Sequence, residues 1–210
     1  MGFNGDQHPE QQPAVSRRRS GGHGTGARDM NSRTLPTLET ERLKLRPYGE
    51  ADIAELLPLI GTREVAATTL RIHHPYTEQD AKAFLVLLQE PGRIWLANTL
   101  RTDGRQIGGI GLTVDTEHQH AELGYWLGAA YWGKGYATEA AREMLRYGFE
   151  DLRLNRIYAS HFKDNSASGR ILVKLGMRYE GCQRQHYRKW DRFVDSELYA
   201  ILRQEWESSE

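Results

Sequence analysis

The chain has 210 residues, enough for one sizeable domain with an extension. Its 28 lysines and arginines balance 28 aspartates and glutamates, so charge announces neither a nucleic-acid nor a membrane partner. A single cysteine, Cys182, excludes an intrachain disulfide framework, and no apolar run approaches the roughly 20 residues of a membrane-spanning helix.

Cysteine usage of this kind is expected of a reduced, cytoplasmic protein. Residues 1–34 are rich in Gly, Gln, Ser and Arg and nearly empty of large aliphatics. Such a segment buries too little apolar surface to offset its chain entropy, so a disordered polar and basic tail is expected, followed by a domain over 35–208. The Arg17-Arg18-Arg19 triplet also suits RNA or anionic lipid, although a solvated tail is the simpler reading, and Met30 is a second candidate start.

From Leu38 onward the pattern is regular. Arg42 to Arg46 alternates polar and apolar residues as a half-buried strand does, and Pro47 closes it. Ile53, Leu56, Leu57 and Ile60 recur at helical spacing, and Glu64 to Leu70 is a weaker helical piece. Thr77 with Asp80 three residues on forms a helix start, followed by an inward stripe of Ala81, Phe84, Leu85 and Leu88. Arg93–Leu100 and Gln106–Val114 read as strands joined by a turn at Thr102-Asp103-Gly104, and His120–Gly128 as a third. A helix is predicted from Tyr136 to Phe149, then a strand over Arg156–Phe162. A further helix is capped by Asn165 or Ser166 and stopped at Gly176. Two long strands around Lys189-Trp190-Asp191 complete the chain. The order predicts a single mixed α/β domain in which the strands at His120 and Arg156 run parallel through a crossover.

Chemistry concentrates at Trp132-Gly133-Lys134-Gly135-Tyr136-Ala137, between a strand and a strong helix. Helix N-termini present unpaired N–H groups and a favourable dipole to a phosphate, and glycines remove the Cβ that would bar its approach. Lys134 adds a positive charge. A nucleoside-triphosphate loop would need Ser or Thr where Tyr136 stands, and a dinucleotide fingerprint is only partly matched by Gly133, Gly135 and Thr138. The cluster Gly108-Gly109-Ile110-Gly111 opens no helix and reads as a bulge or a place of close backbone contact. Downstream, Ser168 shares helical spacing with Ile171, Leu172 and Leu175, so its hydroxyl faces inward and needs a partner or a ligand.

The segments "AELGYWLGAAYWGKGYATEAAREMLRYGF" and "NRIYASHFKDNSASGRILVKLGMRYEG" resemble the GNAT superfamily of N-acetyltransferases. Within it, the resemblance is to the ribosomal-protein N-terminal acetyltransferase (RimJ/RimL-like) branch and covers about Leu38 to Trp206. The Gln or Arg of the superfamily's coenzyme A signature is replaced by Trp132, while Gly135 and Ala137 fill the other signature positions. The resemblance implies a mostly antiparallel sheet of about seven strands, splayed around a parallel pair and flanked by helices. It implies acetyl transfer from acetyl-coenzyme A to a primary amine, with a peptide or protein N-terminal α-amine favoured, and a small-molecule amine or a non-catalytic acyl-coenzyme A sensor as alternatives. The N–H groups from Gly133 to Thr138 would hold the pyrophosphate. Trp126 and Leu127 would pair with the pantetheine arm, with a backbone N–H near Leu127 for the oxyanion. Asn165 and Ser168 match the family's N-x-x-S, and Ser168 is the implied acid. Glu122 matches a carboxylate position of the branch and is the implied base, with His161 or a water relay as alternatives. His73, Tyr76, Tyr187 and Trp190 are expected to line the acceptor site, and Lys174 suits a phosphate or solvent equally. No metal is expected, and a homodimer is an open assembly expectation.

Overall fold

The computed structural model describes residues 35–208; the tail expected over residues 1–34 lies outside them. Strands β1 (Leu38–Glu39) and β2 (Leu43–Pro47) open the fold, and α1 (Ile53–Ile60), α2 (Arg63–Thr68) and α3 (Glu78–Leu87) follow. Three antiparallel strands come next, β3 (Arg93–Leu100), β4 (Gln106–Asp115) and β5 (His120–Leu127). The chain then alternates through α4 (Tyr136–Arg146), β6 (Arg156–Phe162) and α5 (Ser166–Lys174), and ends in β7 (Arg178–Lys189), β8 (Arg192–Leu202) and α6 (Arg203–Glu207).

The eight strands form one sheet in the order β1-β2-β3-β4-β5-β6-β8-β7, and the strand beyond the expected seven is β1. At two residues, β1 is too short to show a period and exists because Leu38 and Glu39 pair with Leu45 and Lys44. The pair β5/β6 is parallel, as the helical crossover between them requires. It is also short: His120, Ala121 and Glu122 face Arg156, Ile157 and Tyr158, and past that point β5 stays with β4 while β6 stays with β8. The sheet is therefore split along half its length.

Alternation along each strand sends apolar side chains to both faces. Leu43, Leu45, Ile110, Leu112, Leu123 and Ile157 pack with Met144 and Leu145 of α4 and Leu172 of α5. On the opposite face Trp126 joins Leu56, Ile60, Val65, Ile72 and Ala81 from the α1–α3 segment. The Thr77 cap forms as its spacing predicts: Thr77 N–H donates to Asp80 Oδ2 at 2.8 Å and Asp80 N–H to Thr77 Oγ1 at 3.3 Å.

Two boundaries differ from the sequence-based expectation. The helix expected to reach Phe149 stops at Arg146 and continues as a π-turn over Tyr147–Asp151, where Arg146 contacts Glu143, Glu150 and Asp151 at once. The last strand ends at Leu202, because Glu205 accepts the Leu202 N–H at 3.0 Å and starts α6, which buries Trp206 against Phe149.

Candidate active site

Where β5 and β6 part, a cleft of about 840 Å³ runs through the sheet, bounded by α2, the 70–76 loop, α3, the 131–138 turn, α5 and Tyr187. It brings together Glu122, Trp126, Leu127, Trp132, Gly133, Gly135, Tyr136, Ala137, Thr138, Asn165, Ser168, His73, Tyr76 and Tyr187. Lys134 and Trp190 lie outside its lining. The Lys134 ammonium stands 5.7 Å from the Tyr131 ring, and Trp190 carries Arg63 over its own ring at the β7–β8 turn.

The glycine turn has the backbone that glycine alone adopts without strain: φ is +73° at Gly133 and +84° at Gly135, the N-cap of α4. Glu139 is the first donor within the helix, to Gly135 O at 3.0 Å, so Tyr136, Ala137 and Thr138 point their N–H groups outward. The turn is braced from β2. Arg42 donates to the Lys134 carbonyl at 3.0 Å and to Glu139 Oε2 at 2.7 Å, and Thr40 donates to Glu139 Oε1 at 2.6 Å. Outward N–H groups at an eleven-residue helix with no Cβ in their path fit a pyrophosphate.

Strand register sets the next part. Gly128 N–H donates to Ile107 O at 3.0 Å, which makes Leu127 and Gly108 a non-hydrogen-bonded pair. Leu127 thus turns its N–H and carbonyl away from β4 into the split. The carbonyl accepts the Trp132 indole N–H at 2.8 Å, so the residue replacing the usual Gln or Arg ties the turn to the strand end. The Leu127 N–H is an available donor for a carbonyl oxygen lying in the gap.

Ser168 is inward and buried, as its spacing predicts, and its hydroxyl shares a 2.6 Å hydrogen bond with that of Tyr125. Burial pushes the Tyr125 phenol up to about 12 against the opposing effect of the Ser168 bond, so it keeps its proton at neutral pH. Tyr125 was legible by the same argument as Ser168: period two from Leu123 and Leu127 places its hydroxyl on an apolar face. Asn165 caps α5, accepting the Ser168 N–H at 3.2 Å and donating to Thr68 O at 3.5 Å, which joins α5 to α2.

Glu122 pairs with Thr113 on β4 and with Tyr158 on β6, at the last rung before the split. Tyr158 is raised by burial and then by the Glu122 charge. Glu122 and Tyr125, of opposite parity on one strand, leave β5 on opposite faces, and both line the cleft. His161 is held differently. Its Nδ1–H donates to Phe162 O at 2.8 Å, while the buried Nε2 sits 3.6 Å from Glu197 and against Gly169, without a hydrogen bond among the described residues.

A further residue, invisible to pattern reading, is Lys189. Its buried ammonium donates to Ile72 O at 2.6 Å and Leu70 O at 3.4 Å, and burial lowers its pKa. It clips the 70–76 wall of the cleft to the β7–β8 hairpin. Outside the cleft, at the β4–β5 turn, ligand atoms of Asp115, His118 and His120 lie within 4.8 Å of one another.

A glycine turn at a helix N-terminus, an inward N–H and a hydrogen-bonded hydroxyl pair along a split sheet are the arrangement that an acyl-coenzyme A-dependent transferase requires. The model of the acetyltransferase (GNAT) domain matches residues 42–178. The Bacillus subtilis protein YoaA, an N-acetyltransferase whose function is uncharacterised, is 33% identical over 173 residues, covering 80% of this chain and 98% of that protein. YdaF of the same organism, provisionally named a ribosomal N-acetyltransferase, is 34% identical over 106 residues, 50% of this chain and 58% of YdaF. A crystal structure of a provisionally named acetyltransferase from T. thermophilus superposes with a TM-score of 0.72 at 32% identity, covering 83% of this chain and 94% of that one. The chain belongs to the GNAT acetyltransferase family and is an acetyl-coenzyme A-dependent N-acetyltransferase.

Proposed function

We propose that this enzyme acetylates the α-amino group of a peptide or protein N-terminus, as in the RimJ/RimL-like branch it resembles. The observation that carries the reading is the placement of Glu122 and the Tyr125–Ser168 pair on opposite faces of β5 at the mouth of the split. Acetyl-coenzyme A supplies a thioester carbonyl when bound, with its pyrophosphate on the N–H groups from Gly133 to Thr138 and its arm along Trp126 and Leu127.

The chain's own residues then divide the labour. Glu122 takes a proton from the acceptor amine, directly or through a water, as the new C–N bond forms. Leu127 N–H donates to the carbonyl oxygen as negative charge develops there. The C–S bond breaks, and Ser168 gives its proton to the departing sulfur while drawing another from Tyr125, which regains a proton from solvent in the cleft. His161 also lines the cleft with its Nδ1–H engaged and its Nε2 free of a hydrogen bond among the described residues, and it stands as the alternative base.

Amine chemistry favours an α-amine over a lysine. At pH 7 roughly one α-amine in ten is neutral and able to attack, against roughly one lysine in 2,500. His73, Tyr76 and Tyr187 would line the path of the acceptor. The test is thiol release from acetyl-coenzyme A with peptides bearing free N-termini, side by side with small amines. Peptide turnover is expected; turnover confined to small amines would replace the acceptor class, and binding without turnover would make the chain a sensor.

A further inference from the structure

On the face of β3, β4 and β5 that meets α1–α3, register places three rows of side chains abreast: Arg93, Thr113 and Glu122; Trp95, Gly111 and Gly124; Ala97, Gly109 and Trp126. The middle row is a single aromatic ring laid over two glycines. A Cβ built on Gly111 would fall 2.5 Å from Cγ and Cδ2 of Trp95, and one built on Gly124 would fall 2.8 Å from its Cη2. No side chain fits at either position without lifting the indole, which therefore lies flat across two strands.

Trp95 is also held by an aromatic chain. Phe84 of α3 meets it at 6.2 Å and 87°, and Tyr48 meets Phe84 at 5.4 Å and 85°. Trp95 packs against the α1–α3 cluster, yet it remains partly exposed and lines the cleft together with Glu122 and Gly124. Two charged groups near this end are engaged. Asp80 accepts from Thr77 and lies 3.0 Å from His73, and Arg93 donates to Thr113 at 3.2 Å.

Resting on the amine-acceptor reading above, we infer that Trp95 is a specificity-determining plate, selecting acceptors that carry an aromatic ring close to the amine. The acceptor class is an arylalkylamine or a peptide whose first residue is aromatic. Glu122 and Gly124 are two residues apart on one strand, about 7 Å. An amine about two carbons from a ring spans that interval when the amine is hydrogen-bonded to Glu122 and the ring lies over the indole. Offset stacking and burial of a ring on a pre-positioned indole together give about a tenfold preference.

The experiment uses the full chain and matched acceptors: 2-phenylethylamine against butylamine, and Phe-Ala-Ala against Ser-Ala-Ala. Thiol release is followed, and coenzyme A affinity is measured separately by calorimetry. The aromatic member of each pair is expected to show about tenfold higher kcat/KM. Trp95→Leu should bring that ratio toward one, Trp95→Phe should restore part of it, and Gly124→Ala should narrow it by displacing the ring. A wild-type ratio near one overturns the inference while leaving amine acetylation standing. So does an unchanged ratio in a Trp95→Leu protein that binds coenzyme A normally. No turnover of any amine by a chain that binds coenzyme A overturns the acceptor reading and this inference together.

Discussion

Ser168 and Tyr125 share one short hydrogen bond between hydroxyls where β5 and β6 have parted. A thiolate leaves readily at its ordinary pKa near 8.5, so an acid that protonates it contributes modestly. Ser168→Ala and Tyr125→Phe are each expected to lower kcat by about tenfold with coenzyme A affinity little changed; a comparable loss in affinity would recast the pair as structural. Glu122→Gln should reduce the rate most at low pH, where the α-amine is protonated and depends on a nearby carboxylate to release its proton. A pH–rate profile parallel to that of the wild type would remove Glu122 from the role. Ser168 was legible in the sequence because helical spacing fixed its direction, and Glu122 only through family likeness. Nothing in a single chain of letters marks Lys189 as the clip on Leu70 and Ile72, since its carbonyl partners lie more than a hundred residues away.

At the level of elements, the joint between β2 and α1 depends on one buried carboxylate. Asp52 accepts from Arg46 at 2.9 and 2.6 Å and from the Gly49 N–H at 2.7 Å. Burial works to raise the Asp52 pKa, but these donors outweigh it and hold the group below its usual value. A depressed carboxylate contributes stability that is fully present above its unfolded pKa, near 3.9, and is lost as pH falls through the folded value. Asp52→Asn should therefore cost about 1–3 kcal/mol at pH 7, with the difference from wild type shrinking below about pH 4. Equal destabilisation at pH 7 and pH 3 in urea melts would refute the linkage. The helices and long strands were legible from period alone, including the Thr77 cap. The π-turn after Arg146 and the helix at Arg203 were not, because a fan of carboxylates around Arg146 and the burial of Trp206 decide them.

At the scale of the whole molecule, two clusters of buried side chains among the described residues sandwich the sheet. Deleting residues 1–34 is expected to leave the melting temperature and the acetyltransferase rate unchanged, and a loss of either would assign the tail a role. Apart from β1, the π-turn and α6, the order of elements follows from the sequence itself, as do the parallel crossover between β5 and β6, the glycine turn and the inward serine. Each depends on spacing within a few residues, or on the chirality of a short connection. Tertiary structure alone decided that β5 and β6 part after three residue pairs, that Tyr125 meets Ser168 across the split, and that one indole lies over Gly111 and Gly124. Those contacts join positions far apart in the chain, where side-chain volume and strand register set the outcome and local periodicity carries no information about either.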